Sequence, residues 1–205
     1  MRRRLNVPQE RQIVLYVGRL AREKNLALLL RAVRAAARVA PELFLLLVGE
    51  GDEERPLRRL AAGLDIGDRV RFEGPVPHQD VGCWYQAADL FVFPSVSETQ
   101  GLVVLEAMVH GLPVLAIRSI GTSDFIEDGV SGALSEHSEN DFVRRLVELL
   151  RNGDIRARYA EQGQARAMQM TAEASAMRLL AAYERLHVQQ AEAAKRGPIA
   201  SPMSR

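Results

Sequence analysis

The sequence predicts a doubly wound α/β domain on a parallel, Rossmann-like sheet, followed by helices at the carboxyl end. Three observations carry this prediction. Short aliphatic runs alternate with segments of helical spacing, the connections are short and contain glycine or proline, and Leu43–Val48 is apolar at every position. A continuous apolar strand is typical of a parallel sheet that is covered on both faces.

A change of pattern near Gly18 defines the first strand and helix. Residues 13–17 form a β-rich run, and residues 25–39 carry apolar side chains at helical spacing and end before Pro41. The further predicted strands are 43–48, 70–72, 90–93 and 114–117, and the predicted helices between them are 53–62, 79–87 and 102–109. Such sheets bind ligands at the carboxyl ends of their strands, in loops that here begin at Gly18, Gly49, Gly74 and Pro94.

After Gly132 the pattern predicts helices only, at 140–151, 155–168 and 171–187. The last helix has a predicted docking face made of Ala176, Leu179, Leu180, Tyr183 and Leu186. Residues 189–205, rich in Ala, Lys, Pro and Ser, are predicted to be a disordered tail. The predicted α/β domain therefore spans residues 1–188.

The composition of the chain fits a single folded domain and excludes several kinds of site and partner. The chain has 205 residues, 47% of them hydrophobic, which fits one domain with a normal core. Since 27 Lys and Arg oppose 26 Asp and Glu, no attraction to nucleic acid is expected. The single cysteine, Cys83, excludes an internal disulfide, and no Cys/His cluster has zinc spacing. Arg2–Arg4 precede no apolar segment, so a signal peptide is not predicted and a cytoplasmic location fits best.

The residues of the first three loops allow both ligand binding and a purely structural role. Arg19 offers forked donors and Lys24 a point charge for a diphosphate, but an ordinary solvated loop explains a bare Gly-Arg pair better. The loop at Gly49 is a ligand contact or a tight turn with Asp52 as the helix cap. The stiff loop from Gly74 to Val76 is a structural turn or a binder of a base edge.

Several other polar and aromatic residues receive no function from their pattern. Trp84 and Tyr85 are predicted to be core or interface aromatics rather than stacking platforms. His78 and His110 are predicted to be solvent-exposed histidines. Asp89 is predicted to be an acid at a strand edge, and Cys83 a small hydrophobic residue. For Asp124 and Glu127, a solvated helix end is favoured over the rim of a cleft.

The stretch from Glu98 to Glu106 holds the strongest signal. Glu98 precedes the predicted helix 102–109, and Gly101 permits close approach of the backbone to a ligand. The first amides of that helix are free donors for a phosphate. Glu106 lies among apolar neighbours, so its carboxylate needs a partner, either a ribose diol or a structural hydrogen bond.

Six segments then occur in a fixed order. They are VGRL with EKN within 17–25, VGEG at 48–51, VRFEG at 70–74, ADLFVFPS at 88–95, the Glu98 to Glu106 stretch running on to GLPV at 111–114, and EDGVSG at 127–132. Together they resemble the nucleotide-binding, carboxy-terminal domain of group 1 glycosyltransferases, retaining enzymes of the GT-B fold. The resemblance covers residues 13–134 well and the helical remainder more loosely.

The resemblance implies a role for each site residue. Arg19, Lys24 and Glu98 form the catalytic set: the two cations neutralise the donor diphosphate, and Glu98 holds hydroxyls of the transferred sugar. Glu106 takes the ribose hydroxyls. The donor-binding residues also include Gly18, the base-contacting Gly74 and Val76, and the phosphate-facing stretch Gln100, Gly101, Leu102 and Val103.

The resemblance also implies the ligand and the partner. The ligand is a nucleotide-diphosphate sugar, UDP- or GDP-linked, and neither a cofactor nor a metal is expected because Arg and Lys neutralise the leaving diphosphate. The acceptor-binding N-terminal domain has no counterpart in this sequence, so the isolated chain is expected to transfer little or no sugar. Membrane association is expected only through that domain.

Two departures from the family pattern stand out. The family usually has two glycines where this chain has Ile120-Gly121, and the common Gly-Phe-Gly is replaced by Thr99-Gln100-Gly101. The second variant resembles glycosyltransferases that make glycolipids from diacylglycerol. Two alternatives to the glycosyltransferase interpretation stay open: a noncatalytic nucleotide-sugar-binding or scaffolding domain, and a nucleotide-sugar epimerase-like domain of the same fold.

Overall fold

Six parallel strands form one sheet in the order β3-β2-β1-β4-β5-β6. The computed structural model describes residues 1–97 and 101–170, together with positions 176, 177, 180 and 183. The strands are β1 Gln12–Val17, β2 Leu43–Val48, β3 Val70–Gly74, β4 Leu90–Phe93, β5 Val114–Ile117 and β6 Ala133–Ser135. The helices are α1 Leu26–Ala36, α2 Glu54–Gly63, α3 His78–Ala87, α4 Leu102–Val109, α5 Ile120–Phe125, α6 Glu139–Arg151 and α7 Gly153–Met168. The predicted doubly wound, Rossmann-like fold is confirmed.

The core lies on both faces of the central strands. Every residue of β4 and β5 is buried, and β1 and β2 each expose no more than part of one side chain. On one face α1 packs against α2 and α6. On the other, α4 contacts α5 and the sheet. Two-sided burial explains why these strands are apolar at successive positions instead of alternating with polar residues.

Two elements differ from the sequence prediction. The interpretation that only helices follow Gly132 is wrong, because Ala133–Ser135 pairs in parallel with β5 as the sixth strand. The short helix α5 was also not predicted. Its N-cap is Ser119, whose side chain accepts from the amide of Thr122 while the Thr122 side chain accepts from the amide of Ser119. A three-residue strand without a β-branched residue, and a helix of less than two turns, give weak periodic signals.

The arginine-rich start of the chain is hydrogen-bonded to residues next to the sheet. Arg2 donates to the carboxylate of Asp89 at 2.6 Å and to the carbonyl of Ala87 at 2.9 Å. Asp89 also accepts from the amide of Ile13 at 2.7 Å. These bonds fix the N-terminal segment to the amino ends of β1 and β4, so Asp89 has a structural role.

The chain divides into two compact units, Met1–Ala167 and Met168–Arg205. In the second unit, the described Ala176, Met177, Leu180 and Tyr183 are helical and exposed. The other residues of the predicted helix 171–187, and the predicted tail 189–205, lie outside the described residues. The docking of that helix therefore stays a prediction.

Candidate functional site

The topology puts a crevice between β1 and β4. β1 pairs with β2 on one side and with β4 on the other. The strands that follow β1 are added on one side of the sheet, and the strands that follow β4 are added on the other. The loops that leave the carboxyl ends of two such strands diverge, and the crevice between them is where open α/β sheets bind ligands. Here the described parts of those loops are Gly18 to Asn25 after β1 and Pro94 to Ser97 after β4.

Lys24 bridges these two loops. It ends a single 3₁₀ turn, Arg22–Lys24, after which Asn25 takes a left-handed conformation with φ of 56° and α1 begins. The Lys24 ammonium lies 5.9 Å from the ring centre of Phe93, the last residue of β4. The Ser95 hydroxyl contacts the carbonyl of Glu23 at 3.4 Å. The Lys24 charge is therefore held at the crevice.

Arg19 lies at the outer edge of the same loop. Its side chain is 75% exposed and pairs with Glu23 at 2.7 Å. The backbone beneath it is fixed because the buried Tyr16 hydroxyl donates to the Arg19 carbonyl at 2.9 Å. Exposed pairs of this kind are weak, so the bond to Glu23 is a small barrier to an anionic ligand.

Three glycine loops are joined through their backbones at this edge. The amide of Gly18 donates to Val48 at 3.0 Å, and the amide of Gly49 donates to Gly74 at 2.8 Å. A Cβ on Gly49 would lie 2.0 Å from the carbonyl oxygen of Gly18. The Gly49 loop is thus a tight structural turn. Its predicted cap is wrong, because the N-cap of α2 is Glu53 rather than Asp52 and makes no side-chain bond.

The predicted base-contacting loop lies beside the Gly49 turn. Gly74 ends β3 with φ of 83°, and a Cβ there would meet open space. Val76 is partly buried against the core. The loop is therefore placed at the ligand edge of the sheet, and base recognition by Gly74 and Val76 stays a prediction.

The start of α4 is built as the sequence indicates. Gly101 is its N-cap in a left-handed conformation, with φ of 56°, and its carbonyl accepts from the amide of Val104 at 2.8 Å. Leu102 is 55% exposed, whereas Val103 is partly buried. The first amides of a helix have no acceptor within it. Glu98 and Gln100 lie outside the described residues, so their contacts with sugar and phosphate stay predictions.

Glu106 is partly buried on α4 and has a partner that the sequence did not reveal. The hydroxyl of Tyr85 donates to Oε2 of Glu106 at 2.9 Å. Tyr85 and Trp84 are buried, as predicted, with 2% and 3% exposure. Burial, followed by the negative charge of Glu106, raises the pKa of Tyr85 well above its ordinary range. The phenol therefore stays protonated and donates.

Aromatic rings link the two ends of the candidate site. Phe93 stacks on Tyr16 and on Phe91, with ring centres 6.3 Å apart in each pair. Phe91 meets the edge of Tyr85 at 5.8 Å. Lys24 lies over Phe93, between Tyr16 and Phe91 in this row of rings, and Glu106 bonds Tyr85 at its end. A cation and a carboxylate are therefore held on one rigid base under the crevice, with the start of α4 beside them.

A network of ion pairs lies further along the same edge, after β5 and β6. Arg118 pairs with Asp128 and Glu136, each at 3.0 Å. Asp141 accepts from the amide of Glu136 at 2.9 Å and from Arg144 at 2.6 Å. Burial raises the pKa of Asp141, but these hydrogen bonds and charges outweigh it and the pKa lies below its ordinary value.

This balance predicts an acid-sensitive contribution to stability. Because the pKa of Asp141 is lower in the folded chain, its pairing stabilises fully above the unfolded value of about 3.9 and is lost as the pH falls through the folded value. Asp141→Asn should cost about 1 kcal/mol of unfolding free energy at pH 7. Its melting temperature should also fall less than that of the wild type between pH 6 and pH 3. Asp68→Asn, at an exposed turn, is the control, and equal acid sensitivity of Asp141→Asn and wild type would contradict the assignment.

Within residues 1–97 and 101–170, no group of three or more His, Cys, Asp or Glu side chains is placed to hold a metal ion. In the same part of the chain, no helix combines the length and the apolar character needed to cross a membrane.

Comparison with known proteins shows the family of the chain. The family model of glycosyl transferases group 1 matches residues 1–166. D-inositol 3-phosphate glycosyltransferase of Thermobispora bispora is 37% identical over 201 residues, which cover 91% of this chain and 47% of the relative. A lipopolysaccharide core biosynthesis glycosyltransferase of Rhizobium meliloti is 34% identical and covers 79% of this chain and 46% of its own. The chain thus spans about half the length of these relatives.

Solved structures show the same architecture. Sucrose-phosphate synthase from Thermosynechococcus elongatus superposes with a TM-score of 0.80 at 31% identity, covering 92% of this chain and 48% of its own. Anabaena HepE in complex with UDP gives a TM-score of 0.74 at 27% identity, covering 82% of this chain and 46% of its own. HepE has also been solved with UDP-glucose.

Proposed function

We propose that this chain, which belongs to the group 1 glycosyltransferases, binds the nucleotide-diphosphate sugar from which a retaining, metal-independent enzyme transfers the sugar. The observation that carries the proposal is the arrangement at the crevice between β1 and β4. Lys24 is held over the end of β4, and Glu106 is held on α4 behind the helix start at Gly101. The diphosphate and the ribose of a nucleotide donor need a cation, free amides and a carboxylate in this order.

UDP is the preferred nucleotide in this proposal. Support comes from HepE, a protein of similar fold whose structures contain UDP and UDP-glucose. The base lies against the loop of Gly74 and Val76, which borders the crevice. The diphosphate contacts Lys24, Arg19 and the amides of Leu102 and Val103, and the sugar reaches Glu98 with Gln100 and Gly18 beside it.

In the transfer step, the bond between the sugar and the diphosphate breaks and negative charge grows on the leaving group. Lys24, Arg19 and the first amides of α4 stabilise that charge from fixed positions. Glu98 positions the sugar for attack by the acceptor on the face from which the diphosphate leaves. The acceptor is held by a separate N-terminal domain. The relatives are about twice as long as this chain, which supports a second domain of this kind.

The chain alone is therefore proposed to bind nucleotide weakly and to transfer little or no sugar. It acts in the cytoplasm, and any membrane contact is made by the acceptor-binding domain. Assays of donor hydrolysis and of epimerisation separate the proposal from an epimerase-like activity, since only the latter would convert the sugar of UDP-glucose without an acceptor.

Removal of the Glu106 carboxylate tests the nucleotide site. Glu106→Ala should weaken UDP binding about 10-fold, because a charged acceptor for the ribose hydroxyls is lost. Glu98→Ala should leave UDP binding within about twofold, since UDP carries no sugar beyond the ribose. Titration calorimetry with UDP, GDP and ADP measures both effects. Equal affinity of wild type and Glu106→Ala for UDP would remove Glu106 from the site, and absence of binding by all three nucleotides at millimolar concentration would remove the proposed function.

A further inference from the structure

We infer that Tyr85 is a positioning residue that fixes the Glu106 carboxylate for the ribose of the donor. The inference rests on the proposed function and goes beyond it, because it adds a residue on a different helix. Tyr85 lies on α3, and its hydroxyl donates to Oε2 of Glu106 on α4 at 2.9 Å. One carboxylate oxygen is thus engaged within the protein. Among the described residues no side chain or amide bonds Oε1, which is the acceptor for a hydroxyl ligand.

The position of the Tyr85 hydroxyl is fixed by its surroundings. The ring is 2% exposed and meets the edge of Phe91, with ring centres 5.8 Å apart. On another side it packs against the ring of His110 at 5.1 Å. The hydroxyl also lies 3.4 Å from the carbonyl of Val103. A buried phenol held by packing in this way points its donor in one direction.

The backbone of Glu106 is fixed from the same side. Nδ1 of His110 lies 2.8 Å from the Glu106 carbonyl oxygen, across the last turn of α4. A Cβ on Gly82 of α3 would lie 2.9 Å from Nε2 of His110, so α3 and His110 are already in close contact. Tyr85 therefore holds the side chain of Glu106, and His110 holds its main chain.

This arrangement has a consequence for binding. A free glutamate samples several rotamers, and ordering it when a ligand arrives costs binding free energy. The bond from Tyr85 orders the carboxylate beforehand, so the ribose hydroxyls meet an acceptor that is already placed. Because Tyr85 acts through Glu106, its effect should depend on the ribose hydroxyls and should not extend to the rest of the nucleotide.

Tyr85→Phe tests the inference by comparing UDP with 2′,3′-dideoxy-UDP. The wild type should bind UDP about 10-fold more tightly than the dideoxy compound, because the latter lacks both hydroxyls. In Tyr85→Phe this ratio should fall to about threefold or less, while affinity for dideoxy-UDP stays within about twofold. In the Glu106→Ala background, Tyr85→Phe should cause no further change in the ratio. Tyr159→Phe is the matched control, since it removes the hydroxyl of a buried tyrosine on α7.

The outcomes separate this inference from the proposed function. A wild-type ratio retained in Tyr85→Phe, with UDP still bound, would overturn the positioning role and leave the proposed function intact. Equal weakening for both nucleotides would also overturn it, because that result describes a structural residue. If Tyr85→Phe does not fold, the wild type decides: the Tyr85 hydroxyl proton, followed by NMR, should shift on binding UDP and stay unchanged on binding 2′,3′-dideoxy-UDP, and equal shifts with both would overturn the inference. Absence of UDP, GDP and ADP binding by the wild type would remove both.

Discussion

Lys24→Ala is expected to weaken UDP binding about 10- to 100-fold, since a charge-assisted bond to a charged group contributes about 1.5–3 kcal/mol. Lys24 has this weight because it lies inside the crevice, against the Phe93 ring at the carboxyl end of β4. Arg19 should contribute less. Its guanidinium is 75% exposed and must leave Glu23 before it can reach a phosphate, so Arg19→Ala should cost only a few-fold.

The matched control for Lys24→Ala is Arg22→Ala. Arg22 lies two residues earlier on the same 3₁₀ turn and is exposed, so both variants lose one positive charge from one short segment. Arg22→Ala should bind UDP within about twofold of the wild type, because an exposed charge outside the crevice is screened by salt. Equal losses in the two variants would show that only net charge matters and would remove Lys24 from the diphosphate site.

Gly49→Ala is expected to destabilise the fold by about 3 kcal/mol or more, the range of severe steric and backbone effects. The added Cβ would lie 2.0 Å from the carbonyl oxygen of Gly18, and neither partner is a flexible side chain. The φ of Gly49 is 133°, which L side chains rarely adopt. Relief of the clash requires the Gly18 loop to move, so the variant should lose UDP affinity as well as stability.

Gly63→Ala provides the control for Gly49→Ala. Gly63 ends α2, and a Cβ there would meet nothing within 4 Å. Alanine should be neutral or stabilise this helix by up to about 1 kcal/mol. Urea denaturation followed by circular dichroism measures both variants. A Gly49→Ala protein as stable as the wild type would contradict the close backbone approach between the first two loops.

The sequence predicts the bounds of an element best where its apolar residues are nearly continuous. β2, β4, β5 and α4 have the predicted bounds, because their residues are apolar, except Glu106 in α4, and each has a glycine or proline at one end: Gly49, Pro94, Pro113 and Gly101. β6 was missed because Ala133–Ser135 becomes a strand only by pairing with β5. Ser119 was a usable signal for α5, since serine is a preferred N-cap residue.

The candidate site was predictable only in part, for a physical reason. The sequence puts the loops after β1 and β4 among four loops at the ligand edge of the sheet, and the pairing of β1 with β4, seen only in the structure, brings Lys24 to Phe93. The partner of Glu106 could not be predicted in the same way. Tyr85 lies on another helix, 21 positions earlier in the chain, and an aromatic residue in a buried pattern is indistinguishable from ordinary core. The sequence left a ribose diol and a structural hydrogen bond open for Glu106. The structure contains the second, through Oε2, and the first stays a prediction.

The central claim is that UDP binds at the carboxyl edge of the sheet, between β1 and β4. The most direct test is a titration of the ¹⁵N-labelled chain with UDP, followed by amide chemical shifts. The largest shifts should fall on Gly18 to Asn25, on the amides of Leu102 and Val103, and on the loop of Gly74. Absence of shifts at millimolar UDP, or shifts confined to the opposite edge around Arg34 and Arg69, would contradict the claim.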